Sequence, residues 1–380
     1  MMHFLRKLIK PKYETLNVIE VDAAKLSANF HYLESLQPEA AIFPVLKSNA
    51  YGHGLKEVCR ILNKVKPALV VVDSYPEAQI AYRHFRGKVL ILSEMPQRAY
   101  DYCKLGRTEF VIYNEATLRY LARYGQRVHI HLFVNSGMNR EGIKDMNAFI
   151  LKNKEYLGKV EVSGLCSHLA SADQESGLNQ EQEDNFFKAL EILKEAGFNP
   201  PWVHLGNSAA IFTAKNNKLT AYRPGLAFYG YSPFSDGREN ESSLQPALEV
   251  FSHIVSLQEL KVLESVSYNA TYRASQATNI GTIPFGYFEG LDRRLSNRAQ
   301  FLVQAKNNYF WARVAGTVCM NLTCLEFGQN KPKIGDIVQV VSAKREDLNS
   351  IFNLAALCET IPYEFLVKLQ ASTRREIINN

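Results

Sequence analysis

ALVVVDSYPEAQIAYRHFRGKVLILS, residues 68–93, contains two runs of aliphatic residues separated by a longer amphipathic stretch. Buried parallel strands read as continuous Val/Ile/Leu runs because helices cover both faces of their sheet. The stretch near 75–85 has the pattern of a helix that covers such a sheet. Residues 68–93 therefore predict a strand–helix–strand unit with parallel strands.

The same alternation extends in both directions along the first 230 residues. The apolar runs are AIFPVL (41–46), ALVVVD (68–73), KVLILS (88–93), EFVIY (109–113), VHIHLFV (128–134), VEVSGLCS (160–167), PWVHLG (201–206) and LTAYRP (219–224). Helical patterns lie between them, near 54–64, 75–85, 114–124 and 178–196. Eight such units predict a (β/α)8 barrel, a TIM-like fold of the α/β class. A doubly wound open sheet has a similar pattern and stays open as an alternative.

A different pattern begins after about residue 245. Short β-rich segments follow one another, namely VFSHIVSL (250–257), ATNIGTIPFGY (277–287), FWARVAGTVCMNLTCLEF (310–327), DIVQVVS (336–342) and EFLVKL (364–369), with one helix near 346–359. This pattern predicts a mostly-β C-terminal domain. We therefore expect an N-terminal extension (1–15), a barrel domain (16–240) and a β-rich domain (241–380). The polar stretch 232–246 is the expected linker, and LNVIEV (16–21) is a strand that could pair with the β-rich domain.

Composition excludes several classes of protein. The 380 residues are 46% hydrophobic and 22% charged, and the net charge of +6 is spread without a long Lys/Arg block, which argues against a nucleic-acid partner. Six cysteines occur without a C-x-x-C pair, which is typical of reduced thiols in a cytoplasmic protein. The basic start lacks a signal-peptide core, and no apolar run reaches the roughly 18 residues of a membrane span.

One lysine stands where a barrel places its chemistry. In AIFPVLKSNAYGHGL (41–55) an apolar strand ends at Lys47, and a glycine-rich turn follows. The carboxyl ends of barrel strands line the active site, and a partly desolvated lysine there presents a nucleophilic amine. Such an amine suits imine formation with an aldehyde cofactor. A solvated lysine that closes a strand is the simpler alternative.

The sequence around Lys47 favours the cofactor. VLKSNAYGHG (45–54) resembles the lysine signature of the alanine racemases, a family of pyridoxal 5'-phosphate (PLP) enzymes of fold type III. The resemblance continues in order through NSGMNREG (135–142), SHLASAD (167–173), HLGNSAA (204–210), YRPGLAFYG (222–230), VSYNATYRA (266–274), IPFGYFEG (283–290), GTVCMN (316–321) and IPYEFLVKL (361–369). It implies an isomerase that interconverts L- and D-alanine for peptidoglycan. It also implies a homodimer whose active sites are shared between subunits, and no metal.

The resemblance also assigns residues. Two bases act on opposite faces of the substrate, Lys47 on the D-face and Tyr268, from the other subunit, on the L-face. Since a phenol is mostly protonated at pH 7, Tyr268 needs help from a neighbour. The implied cofactor-binding residues are Lys47, Tyr51, His168, Asn207, Ser208, Arg223, Gly225, Leu226 and Tyr363. The implied substrate-binding residues are Arg140, Tyr287 and Met320, with His168 beside Tyr268 and His204 orienting Arg223.

Arg223, matched to the residue that faces the pyridine nitrogen, has a chemical consequence. A guanidinium only donates hydrogen bonds and stays charged, so it does not protonate that nitrogen. The ring is then a weak electron sink, which limits side reactions such as transamination.

Three positions depart from the family pattern. Phe133 stands where many members have a carbamylated lysine that helps to hold Arg140, and Asn135 and Asn321 replace aspartates. Arg140 is therefore expected to take its position from another group, a water or a bound anion. The amino-acid preference is left open, with a broader alanine and serine racemase as an alternative.

Three rivals come from other classes. A fold-type-III PLP decarboxylase pairs the ring nitrogen with a carboxylate, where this chain offers Arg223. A metal-dependent hydrolase could use His129 and His131, which lie on one face of a strand, but we expect no acidic residue near them. A non-catalytic PLP-binding protein would not need both Lys47 and Tyr268.

Overall fold

The computed structural model describes residues 15–213, 218–234, 243–306 and 308–380. The chain divides into two compact units. The barrel unit comprises Val21–Ala247 with Ile377–Asn380, and the β unit comprises the described residues up to Glu20 with Leu248–Glu376. The expected extension (1–15), apart from its last residue, and the part of the expected linker from 235 to 242 lie outside the described residues.

The barrel unit contains eight parallel strands. Strand β1 (Val18–Asp22) precedes them, and they are β2 (Ala41–Ile42), β3 (Leu69–Val72), β4 (Lys88–Ile91), β5 (Thr108–Ile112), β6 (His129–Phe133), β7 (Glu161–Cys166), β8 (Trp202–His204) and β9 (Ala221–Tyr222). Strands β3 to β8 form one sheet in sequence order, and β2 pairs with β9. Val45 bridges to Val71 on β3, and Thr220 N donates to Val203 O (2.9 Å). These links close the ring.

Helices alternate with these strands. They are α1 (Ala23–Leu36), α2 (Leu55–Val65), α3 (Tyr75–His84), α4 (Glu115–Leu121), α5 (Met146–Leu157), α6 (Gly177–Glu195) and α7 (Ser208–Thr213). Short 3-10 helices span Gln97–Tyr102, Leu105–Arg107 and Ala122–Arg127, so β4 and β5 are joined by 3-10 turns and not by an α-helix. Every residue of β3 is buried, as expected for a strand covered by helices outside and side chains inside.

The β unit is built on a nine-stranded sheet. Its strands are β1, β10 (Leu248–His253), β11 (Ser256–Leu260), β14 (Thr278–Ile283), β15 (Gln300–Ala305), β16 (Asn308–Val314), β17 (Thr323–Gly328), β18 (Ile337–Val341) and β19 (Arg374–Ile378), in the order β11-β14-β17-β16-β15-β18-β10-β1-β19. Strands β12 (Ser265–Val266) and β13 (Tyr272–Arg273) form a separate antiparallel pair. Burial alternates along β10, so one face of this sheet packs on a core, unlike the barrel strands.

The predicted barrel followed by a mostly-β region is confirmed, and the open-sheet alternative is wrong. One segment needs correction: EFLVKL (364–369) was expected to be a strand, but it belongs to helix α9 (Pro362–Val367), which follows α8 (Ile351–Leu357). Pro362 near the start of α9 fits a helix N-terminus, where its missing N–H costs nothing. Across the described ranges, every helix is too short or too polar to cross a lipid bilayer.

Candidate active site

Lys47 begins an unusual turn at the carboxyl end of the first barrel strand. The four residues from Ser48 to Tyr51 all have left-handed backbone angles, with φ between 51° and 55°. Non-glycine residues avoid this region, so a run of four requires support from the surrounding structure. Glu77 at the start of α3 supplies it, because its carboxylate accepts hydrogen bonds from Ser48 N (2.6 Å) and Asp73 N (2.8 Å). Lys47 itself is half-buried.

A group of hydrogen-bond donors lies beside this turn. Ser208 Oγ accepts hydrogen bonds from the backbone N–H groups of Gly225 (3.0 Å) and Ala227 (3.2 Å), and Leu226 between them is buried. A Cβ atom on Gly225 would lie only 2.3 Å from the hydroxyl oxygen of Tyr51. Glycine is therefore needed at this position for Tyr51, Ser208 and the turn after β9 to come together.

Two other residues were predicted to hold the cofactor, Asn207 next to Ser208 and Tyr363 in the other unit. Asn207 accepts hydrogen bonds through its side-chain oxygen from the N–H groups of Ala209 (3.0 Å) and Ala210 (3.2 Å), so it caps the start of α7. Tyr363 lies on α9 in the β unit and is half-buried.

Arg223 follows β9 and is buried. One guanidinium nitrogen, Nη1, donates to the carbonyl oxygen of His204 (2.6 Å) and contacts Nδ1 of the same residue, and Nη2 donates to the carbonyl of Ser167. Over the part of the chain that the structure describes, no carboxylate forms an ion pair with Arg223. The expectation that His204 orients this arginine agrees with these contacts.

His168 brings the predicted residues of the barrel unit together. Burial lowers its pKa to about 3, and the nearby positive charges of Arg223, Arg140 and Lys47 lower it in the same direction. The imidazole is therefore neutral at pH 7. The half-buried His168 thus lies in the positive electrostatic field of Lys47, Arg140 and Arg223, at the end of the barrel where a barrel enzyme has its active site.

Arg140 has an anionic neighbour that the sequence did not reveal. Its guanidinium donates to the Glu141 carboxylate from Nε (3.0 Å) and Nη2 (2.6 Å). Phe133 packs its ring edge-on against Tyr113 and so occupies the interior without supplying a charge. The Glu141 carboxylate, from the next residue in the chain, is therefore the group that we expect to position Arg140.

The turn at Asn135 keeps the hydrogen bonds that an aspartate would accept there. Its side-chain oxygen accepts hydrogen bonds from the N–H groups of Gly137 (3.2 Å) and Asn139 (3.1 Å), as a carboxylate would. The turn before Arg140 is therefore held by an amide in place of an acid. In the β unit, Asn321 donates to the Glu289 carboxylate (2.9 Å).

We expect Glu141→Gln to raise the KM for a substrate whose carboxylate binds Arg140 about 2- to 5-fold with little change in kcat, because an ion pair this exposed contributes at most about 1 kcal/mol. The effect should shrink as salt is added, since salt screens exposed charges. Steady-state kinetics at low and high ionic strength measure both. Glu115→Gln is the matched control, because Glu115 pairs with Arg119 and Lys152 on the outer helices. An unchanged KM would show that Glu141 does not position Arg140.

The predicted residues of the β unit also lie close to one another. Tyr268 sits in a short 3-10 turn and is 67% exposed, and its carbonyl accepts a hydrogen bond from Thr317 Oγ1 (3.3 Å). The segment that follows Thr317 carries Met320, and the N–H of Tyr287 donates to Cys319 O (3.0 Å). Three exposed side chains, Tyr268, Tyr287 and Met320, therefore extend from neighbouring loops.

The expectation that no acid lies near His129 and His131 is wrong. Glu109 Oε2 is 2.7 Å from His131 Nε2. It was missed because Glu109 comes from the adjacent strand β5, and a sequence does not show which side chains meet across a barrel interior. His129 instead contacts Ser163 Oγ (2.8 Å). Within the described ranges, no group of three or more His, Cys, Asp or Glu side chains could hold a metal ion.

Comparisons with known proteins agree with the observed architecture of a barrel followed by a mostly-β region. Two family models match the chain: "Alanine racemase, N-terminal domain" over residues 21–233 and "Alanine racemase, C-terminal domain" over residues 247–377. The chain belongs to the alanine racemase family. The predicted family and the isomerase class are confirmed.

Relatives match over nearly the whole chain. It is 31% identical to an alanine racemase of Citrifermentans bemidjiense, over 94% of this chain and 97% of the relative. It is 28% identical to one of Borreliella burgdorferi, over 95% and 97%. Among solved structures, the Bacillus anthracis alanine racemase with bound L-Ala-P is 26% identical, with a TM-score of 0.87 and 97% of each chain covered. The biosynthetic alanine racemase of Pseudomonas aeruginosa is 28% identical, with a TM-score of 0.82, covering 96% of this chain and 99% of that one.

Proposed function

We propose that this chain interconverts L- and D-alanine with PLP as cofactor, and that Lys47 carries the cofactor. The observation that supports this most strongly is that Lys47, Arg140 and Arg223 lie near enough to the half-buried His168 for their charges to lower its pKa. A lysine, an arginine for a carboxylate and an arginine for a ring nitrogen are the groups that amino-acid chemistry on PLP requires. The decarboxylase alternative is not favoured, because the residue proposed to face the ring nitrogen is Arg223 and not a carboxylate.

The residues present suit the phosphate of PLP. Ser208 Oγ and the Tyr51 hydroxyl are uncharged donors at the carboxyl ends of β8 and β9, beside the backbone N–H groups around Leu226, of which those of Gly225 and Ala227 donate to Ser208 Oγ in this structure. Barrels commonly bind phosphate in the loops after these two strands. Backbone and hydroxyl donors without a carboxylate among them are suited to a dianion. The family resemblance implies that Tyr51, Ser208, Gly225 and Leu226 hold the phosphate, and this geometry supports that assignment.

The chemistry of the proposed reaction divides between cofactor and protein. When bound, PLP makes the Cα–H of an attached amino acid acidic. Arg140 is proposed to bind the substrate carboxylate, and Arg223 to face the ring nitrogen as a pure donor. The Lys47 amine then removes or returns a proton on the D-face of Cα, and the Tyr268 hydroxyl does so on the L-face.

A shared active site is part of the proposal. Tyr268, Tyr287 and Met320 are 67%, 45% and 55% exposed, although they are the residues that the family resemblance assigns to catalysis and substrate binding. Large apolar side chains grouped on adjacent loops are typical of a surface that a partner covers. We propose that a second copy of the chain covers them and that Tyr268 completes the active site of that copy.

Mixing two inactive variants tests the shared site. If each site uses Lys47 of one subunit and Tyr268 of the other, a Lys47→Ala/Tyr268→Phe heterodimer has one intact site and one doubly altered site. After subunit exchange at equal concentrations, we expect about one quarter of the parent activity, because half of the dimers are mixed. Activity no greater than that of the separate variants would contradict sharing. Size-exclusion chromatography with light scattering checks that dimers form.

The reaction itself is tested by hydrogen exchange at Cα. The full-length protein with added PLP should incorporate deuterium from D2O into L- and D-alanine and abolish optical rotation from either side. Borohydride should fix the cofactor to Lys47, which peptide mass spectrometry detects. Carbon dioxide release without racemisation would overturn the proposal in favour of a decarboxylase.

The cellular role is proposed from the family resemblance alone. D-alanine for peptidoglycan is the product use that this resemblance implies. All six cysteines are free thiols, which supports a cytoplasmic setting.

A further inference from the structure

A single file of polar side chains runs through the barrel interior below the candidate active site. From Arg223 it passes to His204, then from His204 Nε2 to His131 Nδ1 (2.7 Å), and from His131 Nε2 to Glu109 Oε2 (2.7 Å). Lys88 Nζ ends the file with a hydrogen bond to Glu109 Oε1 (2.7 Å). The side chains of both histidines and Glu109 are almost completely buried, while Lys88 is 47% exposed.

The chemistry of the two ends fixes the direction of every hydrogen bond between them. An arginine can only donate, so His204 Nδ1 must accept from Arg223. A neutral His204 then carries its proton on Nε2 and donates to His131 Nδ1. A neutral His131 likewise carries its proton on Nε2 and donates to Glu109, which as a carboxylate can only accept.

The protonation states agree with this assignment. Burial lowers the pKa of His131 and of His204, so both imidazoles are neutral at pH 7, and the charge of Arg223 lowers both further. Burial alone would raise the pKa of Glu109, but the hydrogen bonds from His131 and Lys88 and the charge of the Lys88 ammonium outweigh it and keep the pKa below its usual value. The carboxylate is therefore ionised, and it is the negative group at the other end of the file from the Arg223 cation.

We propose that Glu109 is a positioning residue for the reaction: it fixes the tautomers of His131 and His204 and thereby holds the guanidinium of Arg223 in place. The effect on catalysis rests on the proposed function, in which Arg223 faces the ring nitrogen of PLP. The alternative tautomer of His204 would place an N–H against an N–H of Arg223. One of the two side chains would then have to move, so an acid far from the active site controls the arginine that lies within it.

The tautomers can be measured without cofactor. In full-length protein labelled with 15N-histidine, we expect the imidazoles of His131 and His204 to be neutral, protonated on Nε2 and unchanged between about pH 5.5 and 9. Loss of one signal in His131→Asn and in His204→Asn assigns them. A cationic or Nδ1-protonated His131 or His204 in the parent protein would overturn the proposal. Since this measurement needs no racemase activity, its failure is separate from failure of the proposed function.

Two variants test the consequence for the reaction. In Glu109→Gln, the Lys88 ammonium attracts the amide oxygen and turns the amide NH2 towards His131. This reverses the donor and acceptor in the hydrogen bonds that join residue 109, His131 and His204. We expect kcat to fall about 10-fold, as for loss of a hydrogen bond to a buried charged group, together with a change in the 15N signals of both histidines. In Glu109→Gln/Lys88→Met, the amide oxygen can face His131 again, and most of kcat should return.

Lys88→Met and Glu161→Gln are the matched controls, because Lys88 is half-exposed and Glu161 is an exposed acid at the start of strand β7 in the same sheet. Both should keep the parent kcat and the parent histidine signals. Equal losses in Glu109→Gln and in the double variant would contradict the directional argument. Unchanged kcat and 15N signals in Glu109→Gln would overturn the proposal outright.

Discussion

Replacing Lys47 by alanine is expected to lower the rate of alanine racemisation at least about 10³-fold and to remove the absorbance band near about 420 nm that PLP joined to a lysine produces. The amine is proposed to act twice, as the attachment point of PLP and as the base on the D-face. Its place at the end of the first barrel strand, before a turn held by Glu77, leaves no other described lysine in an equivalent position. Absorbance and steady-state kinetics measure the two losses.

The variant series separates the two roles of the amine. Lys47→Arg keeps the charge but not the nucleophile, so it should be as inactive as Lys47→Ala. Added methylamine should restore part of the activity of Lys47→Ala alone, because a small amine can enter the space that the side chain leaves. Lys56→Ala, at an exposed position on α2, is the matched control and should behave as the parent. Borohydride attachment of PLP to Lys47→Ala at the parent stoichiometry would contradict the assignment.

Much of the barrel could be predicted because its buried strands are rich in aliphatic residues, which the sequence shows directly. Strand β3 is buried at every residue and is aliphatic throughout, and all eight predicted apolar runs overlap a strand. The segment 364–369 failed for the same reason. Phe365, Leu366 and Leu369 are buried, and a short apolar run of this kind does not distinguish a strand from one face of a helix.

The site could be predicted only as far as its residues follow local motifs. Lys47 with its turn lies in one short contiguous motif, and Arg223 and Gly225 after β9 lie in another, so each could be identified from the local sequence. Glu109 could not be found in this way, because its contact with His131 depends on the register of β5 against β6 and on which side chains point inward. Glu141 was available next to Arg140, but an acid beside an arginine in a polar loop is ordinary and carries no signal alone.

Replacing Tyr268 by phenylalanine is expected to lower kcat/KM about 10²- to 10⁴-fold, the usual range for loss of a general acid–base group. The value of kcat/KM must fall by the same factor in both directions, because the two enantiomers of alanine have equal free energy. Racemisation rates alone therefore cannot reveal which face Tyr268 serves. Hydrogen exchange at Cα can, since each enantiomer presents its proton to only one of the two bases.

We expect D-alanine to keep exchanging its Cα hydrogen with D2O in Tyr268→Phe, because Lys47 still reaches that face, while exchange into L-alanine falls with racemisation. Proton NMR of the Cα signal follows both enantiomers in one experiment. Tyr309→Phe is the matched control, because Tyr309 is equally exposed (69%) but lies on β16. Parent rates in Tyr268→Phe would eliminate Tyr268 as a base, and loss of D-alanine exchange with retention of L-alanine exchange would reverse the two faces. Either result would leave the fold and family untouched and would change only which group holds the second proton.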